Sequence, residues 1–543
     1  MSALPVLKTA AAWRWRVPVL LLSLCTLVPL GVLLPALFNP DPEIWAHLID
    51  YLLPQLLANT AILLVGVGAG VLAIGVTLAW LVAVYEFPGR RFFNWALMLP
   101  LAMPAYVLGF SQLGLFDYTG PVQTLARALT GSSAWVPSVR SSGGVVLVLS
   151  LAFYPYVYLL ARGAFATQGR RALEVGQSLG LSRAEGFWRV ALPMARPWIM
   201  GGLMLALMET LADFGTVAVF NFDAFTSAIY KAWFSFFSLD TAKQLASMLV
   251  FIVFVLVVFE QRARGRRAYT ANARGGQQPR IALAGAQGWA AAAWATLVLM
   301  MAFVLPFGQV LWWAYQGWAE EANAVLVDNA LRSLMLSAMA ALLVGAAALL
   351  LAYAVRRDGG GFNRLMSRVA TLGYAVPGTV LAVGVFVPVA WLDNQLIALF
   401  GAWLPEGTGS ILKGSLAVLL LAYVARFMAV GHAPVDAAMH RISRSQEEAA
   451  RNLGLTGARL VARLHLPLLK GGLFTALLMV FVDVMKEMPI TLMTRPFGWD
   501  TLAVRIFTLT SEGEWERAAL PAVLLVLSGL LPVILLSREE NKG

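Results

Sequence analysis

A single cysteine, Cys25, stands in a chain of 543 residues, which excludes an intrachain disulfide and any cysteine cluster that could hold a metal. Charge is scarce too: Asp, Glu, Lys and Arg make up 13% of the residues, where a soluble domain carries about 25%. The four histidines, His47, His432, His440 and His465, have no metal-ligand spacing and are expected at membrane interfaces. No Lys follows a Gly, so the phosphate-cradling G-x-x-x-x-G-K-[ST] loop is missing and the chain is not expected to hydrolyse ATP alone. No grouping of catalytic nucleophile, base and acid is recognisable, which argues against a membrane-embedded enzyme.

Apolar length is what the sequence has in abundance. Hydrophobic residues reach 59%, arranged in runs of about 20, the number a helix needs to cross the hydrocarbon of a bilayer. The expected spans are 17 to 38, 56 to 85, 94 to 118, 143 to 165, 197 to 220 and 243 to 261, then 288 to 315, 330 to 355, 366 to 393, 413 to 435, 470 to 495 and 518 to 537. That is an all-α polytopic membrane protein of about 12 spans, six in each half. Continuous runs, rather than alternation with a period of two, favour helices over a barrel. Lys8, Arg14 and Arg16 precede the first run, which is too long for a signal-peptide core and reads as an uncleaved first helix.

The net charge of +11 does not point to nucleic acid, because the Lys and Arg residues fall in short segments between apolar runs. Asp41, Glu43 and Asp50 occupy one loop without a basic residue, whereas Arg170, Arg171, Arg183 and Arg189, and later Arg441, Arg444, Arg451 and Arg459, crowd two others. The positive-inside rule then places these two basic loops, the central linker and both termini in the cytoplasm. An even number of spans per half means parallel repeats: a module over 1–262, a flexible Arg- and Gly-rich linker over 263–287, and a second module over 288–543.

The two basic loops carry the same motif. Glu174-Val-Gly-Gln-Ser-Leu-Gly180 with Leu192-Pro193 returns as Glu448-Ala449-Ala450-Arg-Asn-Leu-Gly454 with Leu466-Pro467, each anchor displaced by 274 positions. The acid should sit on a helix that the glycine, six residues on, ends in a left-handed cap. Ser182 and Glu185 form a capping-box pattern for a short second helix, which Leu192-Pro193 is expected to stop before a span beginning near Pro197. In the second copy Thr456 lacks an acid three residues later, so that start should be weaker. Gly66-Val-Gly-Ala-Gly70 reads as close helix packing, and Trp233, Phe234, Phe236, Phe237, Trp312 and Trp313 as interface aromatics.

The Glu-Ala-Ala, three residues, Gly pattern followed by Leu-Pro resembles the signature loop of permeases in binding-protein-dependent ATP-driven importers. Phe116-Asp-Tyr-Thr-Gly-Pro121, Ala212-Asp-Phe-Gly-Thr216 and Lys486-Glu-Met-Pro489 make the whole chain similar to the fused two-module permeases for ferric iron, with sulfate, polyamine and thiamine permeases as close kin. The resemblance implies a type I importer permease fold in a bacterial inner membrane. It also implies that Glu174, Gly180, Pro193, Glu448, Ala449, Ala450, Gly454 and Pro467 couple the chain to an ATP-binding subunit, present as two copies that carry the ATP and Mg. The chain itself would hold no cofactor, and a periplasmic iron-binding protein would deliver cargo for transport by alternating access. A carrier driven by an ion gradient is the rival from another class.

Four acids are candidates for the substrate path: Glu209 and Asp213, and Asp483 and Glu487 at the matching positions of the second half. Each pair lies four residues apart on one helix face, and acids at membrane depth usually face a cavity or a partner. Converging, they would suit a hard trivalent cation that prefers oxygen ligands. The structural alternative is that Lys486 or nearby arginines neutralise them, and both readings stand open at this level.

Overall fold

The computed structural model describes residues 4–38, 42–264, 280–400, 403 and 409–540. Among these, helix is interrupted by strand only at Tyr85–Glu86 and Ile281–Ala282, which pair in parallel. Ten helices among the described residues have the length and apolarity of a membrane span, and a bent pair, Arg90–Ala102 with Ala105–Thr130, makes an eleventh with a 96° turn. The segment expected to span at 518–537 lies on the helix Trp515–Glu540. Most of the expected linker, residues 265–279, lies outside the described residues.

Spans expected to be single are broken at matching places in the two halves. Before Pro104 and before Pro377 the chain goes extended, at Met103 (φ −97°, ψ 119°) and Val376 (φ −91°, ψ 130°). The proline ring crowds the preceding residue out of the helical region and offers no N–H, so each span kinks there. The segment expected at 366–393 is therefore two short pieces, Gly361–Ala370 and Leu372–Ala375, followed by the helix Gly378–Phe400. The segments expected at 197–220 and 470–495 start earlier and stop sooner, at Ala212 and Lys486, each followed by a short separate helix.

The described chain packs as two compact units, each built from both halves of the sequence. One unit joins the helix Leu4–Phe38 to Ile229–Val250 and Asn323–Arg505. Inside it, Arg16 pairs with Asp358 at 3.3 Å and Thr26 donates to the Ala370 carbonyl at 3.3 Å. The other joins Pro42–Ala228, Phe251–Ala322 and the chain from Ile506 onward. There Gln112 donates to the Met301 carbonyl at 2.6 Å, and the Trp313 ring fills the space that a side chain at Gly114 would take.

Small residues let the spans approach closely, as expected where lipid gives no hydrophobic drive between helices. A Cβ on Gly66 would lie 2.9 Å from Val146, and one on Gly70 only 2.2 Å from the Ser150 hydroxyl, so the helix Leu53–Val84 meets the helix Ser142–Ser178 at its glycines.

Candidate functional site

Each motif folds into an elbow. In the first, the helix Ser142–Ser178 ends where Gly180 adopts φ +80°, a conformation that costs a side-chain-bearing residue but not glycine. The Gly180 amide donates to the Gln177 carbonyl at 3.0 Å and the Leu181 amide to Gly176 at 2.9 Å, the bond pair of a Schellman cap. The second elbow repeats it with Gly454 at φ +81°, its amide on the Arg451 carbonyl at 2.9 Å and that of Leu455 on Ala450 at 3.0 Å.

The restarts differ as the residues require. Ser182 accepts from the Glu185 amide at 3.3 Å while the Glu185 carboxylate accepts from the Ser182 amide at 3.0 Å, completing the capping box. Thr456 makes no side-chain cap bond. An asymmetry not anticipated from the sequence precedes the second elbow. The helix Leu416–Arg441 stops at Ile442, and Ser443 with Gln446 forms a new capping box that starts Arg444–Asn452.

The expectation that Leu-Pro stops the short element is corrected. Arg183–Gly186, a π-helical turn over Phe187–Ala191 and Leu192–Ala212 form one helical run of 30 residues. The second copy is the same: Gly457–Leu460, a π turn over Val461–His465, then Leu466–Lys486. Pro193 and Pro467 occupy the first turn after the π segment, where a missing N–H and a fixed φ are tolerated. Each elbow therefore runs without a break into a candidate span.

Glu174 is exposed and pairs with Arg170 at 2.8 Å one turn away, while Gly176 and Ala450 are buried at equivalent positions. A Cβ at Gly176 would already lie 3.3 Å from the Gly186 backbone, so small residues close the elbow. Glu448 and Ala449 are exposed beside the buried Ala450. Two features escaped the sequence reading. Leu179 and Leu453, each just before the capping glycine, are 72% and 83% exposed, giving both elbows an apolar tip at the same repeat position.

The other feature is Glu447, the neighbour of the motif glutamate. It is buried and accepts from Arg356 Nε at 2.5 Å, lies 3.0 Å from His465 Nε2 and contacts Arg451 at 3.4 Å. Arg356 also donates to the Met439 and Ile442 carbonyls at 2.8 and 2.7 Å, bracing the break before the elbow. Burial pushes the Glu447 carboxyl up, but hydrogen bonds from His465 and Arg356 outweigh it and hold the pKa below the ordinary value. The matching residue of the first half is Leu173, so this clamp belongs to the second elbow alone.

The path acids divide by role. Asp213 leaves the helix (φ −64°, ψ 125°) and accepts from Thr216 Oγ1 at 2.9 Å and the Val217 amide at 3.1 Å. Glu487 does the same (φ −70°, ψ 123°), accepting from the Ile490 and Thr491 amides at 2.9 and 3.0 Å. Both cap the short helix that follows. Glu209 and Asp483 remain half-buried on the preceding turn. Among the described residues no three His, Cys, Asp or Glu side chains form a group able to hold a metal ion.

Comparison with known proteins agrees with this duplicated arrangement. An Fe(3+)-transport system permease protein of Haemophilus influenzae is 26% identical over 90% of this chain and 90% of its own length. A ferric transport system permease protein of Actinobacillus pleuropneumoniae is 22% identical over 79% of this chain and 63% of its own. A probable sulfate transport system permease protein of Nephroselmis olivacea is 26% identical over 40% of this chain and 75% of its own. Residues 72–260 and 346–538, each containing one elbow, both match one family, and the chain is accordingly a multi-pass member of the binding-protein-dependent transport system inner membrane components, a permease subunit rather than an enzyme.

Proposed function

We propose that the chain is the permease through which ferric iron, released by a periplasmic binding protein, crosses the inner membrane, driven by two copies of a separate ATP-binding subunit seated on the two elbows. The two packed units, each carrying one elbow and each drawing helices from both modules 1–262 and 288–543, act as the moving bodies, with both termini and both elbows cytoplasmic. The observation that carries the reading is the pair of Schellman-capped elbows, each with an exposed leucine tip and each continuous with a span. A partner that closes on both tips would turn both helices.

Iron as cargo is supported by the relatives that align along most of the chain and bear ferric names. Glu209 and Asp483, half-buried one turn before the capping acids Asp213 and Glu487, are the acids assigned here to a cation in transit. The sulfate permease name of another relative keeps an oxyanion as the second reading.

The test is uptake by vesicles reconstituted with the chain, its ATP-binding subunit and a loaded binding protein. Ferric uptake that requires ATP inside is expected, and Glu448→Ala is expected to lower it without loss of membrane insertion. Uptake with no ATP-binding subunit present would overturn the coupling, and ATP-driven sulfate uptake would overturn the cargo.

A further inference from the structure

Beside the second elbow the unit opens a cavity of about 750 Å³. Five arginines line it, Arg356, Arg357, Arg364, Arg444 and Arg451, against three carboxylates, Asp436, Glu447 and Glu448. Two of those acids are already engaged: Glu447 by Arg356 and Arg451, and Asp436 by the His440 ring at 3.4 Å. Arg357 lies over the Tyr353 ring at 5.4 Å and Arg364 donates to the Gly359 carbonyl at 2.9 Å, contacts that orient both guanidiniums without neutralising them. The surplus is positive and built from planar forks, which match phosphate oxygens better than a lysine ammonium does.

The position of the cavity narrows the ligand. Arg356 and Arg357 are the last residues of the span Ala324–Arg357, and Met439 and His440 belong to the last turn of Leu416–Arg441. The cavity therefore opens where two candidate spans end. Arg364 lies on the short helix Gly361–Ala370, which also exposes Phe362 (41%) and Leu365 (56%) together with Arg368. Exposed apolar and basic residues on one boundary helix are the composition of an element that lies in the headgroup layer.

We infer that this cavity is a binding site for the phosphate of an anionic phospholipid headgroup, with the acyl chains running along Phe362 and Leu365. Arg357, Arg364 and Arg444 hold the phosphate. Arg356 and Arg451 share the same wall while gripping Glu447, so an occupied site stiffens the second elbow, and the first elbow, with Leu173 in place of Glu447, has no such support. The inference goes beyond the proposed cargo and coupling, and its test reads lipid binding rather than transport.

The full chain in mild detergent is exposed to phosphatidylglycerol, to phosphatidylcholine or to inorganic phosphate, and retained ligand is measured by native mass spectrometry. Phosphatidylglycerol is expected to survive delipidation while phosphatidylcholine is lost. Arg357→Gln, Arg364→Gln and Arg444→Gln should each weaken retention roughly fivefold, the scale for one basic residue near an anionic headgroup. The Lys variants at the same positions should keep most of it, which separates loss of charge from loss of fold. Equal retention of both lipids overturns the inference. Retention of inorganic phosphate with no preference among lipids overturns the lipid source. Release of the lipid when the ATP-binding subunit assembles assigns the cavity to a protein contact and overturns it as well.

Discussion

Glu447 and Glu448 are adjacent and do opposite things. Glu448 is exposed on the elbow, whereas Glu447 turns inward to a guanidinium 91 positions earlier in the chain. The motif made Glu448 legible in the sequence; nothing local distinguishes Glu447, because its partner is fixed only by tertiary packing. Removing it in Glu447→Ala leaves Arg356 with two carbonyls and no counter-charge, a loss of about 2 kcal/mol by the scale for hydrogen bonds to charged groups. The expected outcome is faster proteolysis and amide exchange confined to the second elbow. The pH dependence has a definite sign. The folded-state pKa of Glu447 is depressed, so its stabilisation is complete above the ordinary glutamate value near ~4.3 and is lost as pH falls through the folded value. Protection of the second elbow should therefore be flat at neutral pH and fall on acidification in the wild type, with Glu447→Gln lacking that step. The exposed tips lend themselves to a separate measurement. Burying a leucine is worth about 1.5–3 kcal/mol, so Leu179→Asp or Leu453→Asp should weaken pull-down of the ATP-binding subunit by tenfold or more while span insertion is unchanged.

At the scale of the element, the elbow works as a lever only if it is rigid where it enters the membrane. The sequence announces the bend, since a glycine six residues past the acid is a local signal, and Gly180 and Gly454 both take the left-handed conformation it calls for. The continuity is hidden. Leu-Pro reads as a stop because proline clashes with the carbonyl four residues back in an α-helix, and the π turns at Phe187–Ala191 and Val461–His465 place it just after a wider ring instead. The caps Asp213 and Glu487 are hidden for a related reason: an acid that serves backbone amides and one that faces a cavity look alike until the helix is seen to end. Two glycines inserted between Ala191 and Leu192 would add flexibility at the junction, at about 1 kcal/mol each relative to alanine. The expected result is ATP hydrolysis retained with uptake reduced more than tenfold, measured on the same vesicles. Uptake in proportion to hydrolysis would mean that the continuous helix transmits nothing.

Across the whole molecule, the duplicated halves of the sequence and the packed units of the structure are different partitions. Hydropathy gives the length and number of the spans, but a span's neighbours depend on side-chain fit that no periodicity records, so the exchange of helices could not be read in advance. Residues 1–262 lack the helix that receives Gln112 and places Trp313 against Gly114, and residues 288–543 lack the helix that supplies Arg16 to Asp358 and Thr26 to Ala370. Each half alone would leave interhelical hydrogen bonds and close-packed glycine surfaces open to lipid, with buried polar groups such as Gln112 deprived of a partner. Expressed separately, each half should be degraded or aggregate. Expressed together as two chains, they should co-purify and restore uptake, because the contacts that complete each unit are non-covalent and the linker adds only effective concentration. Stable accumulation of either half alone, with its spans protected from protease, would show that the exchanged helices contribute little to the stability of the units they complete.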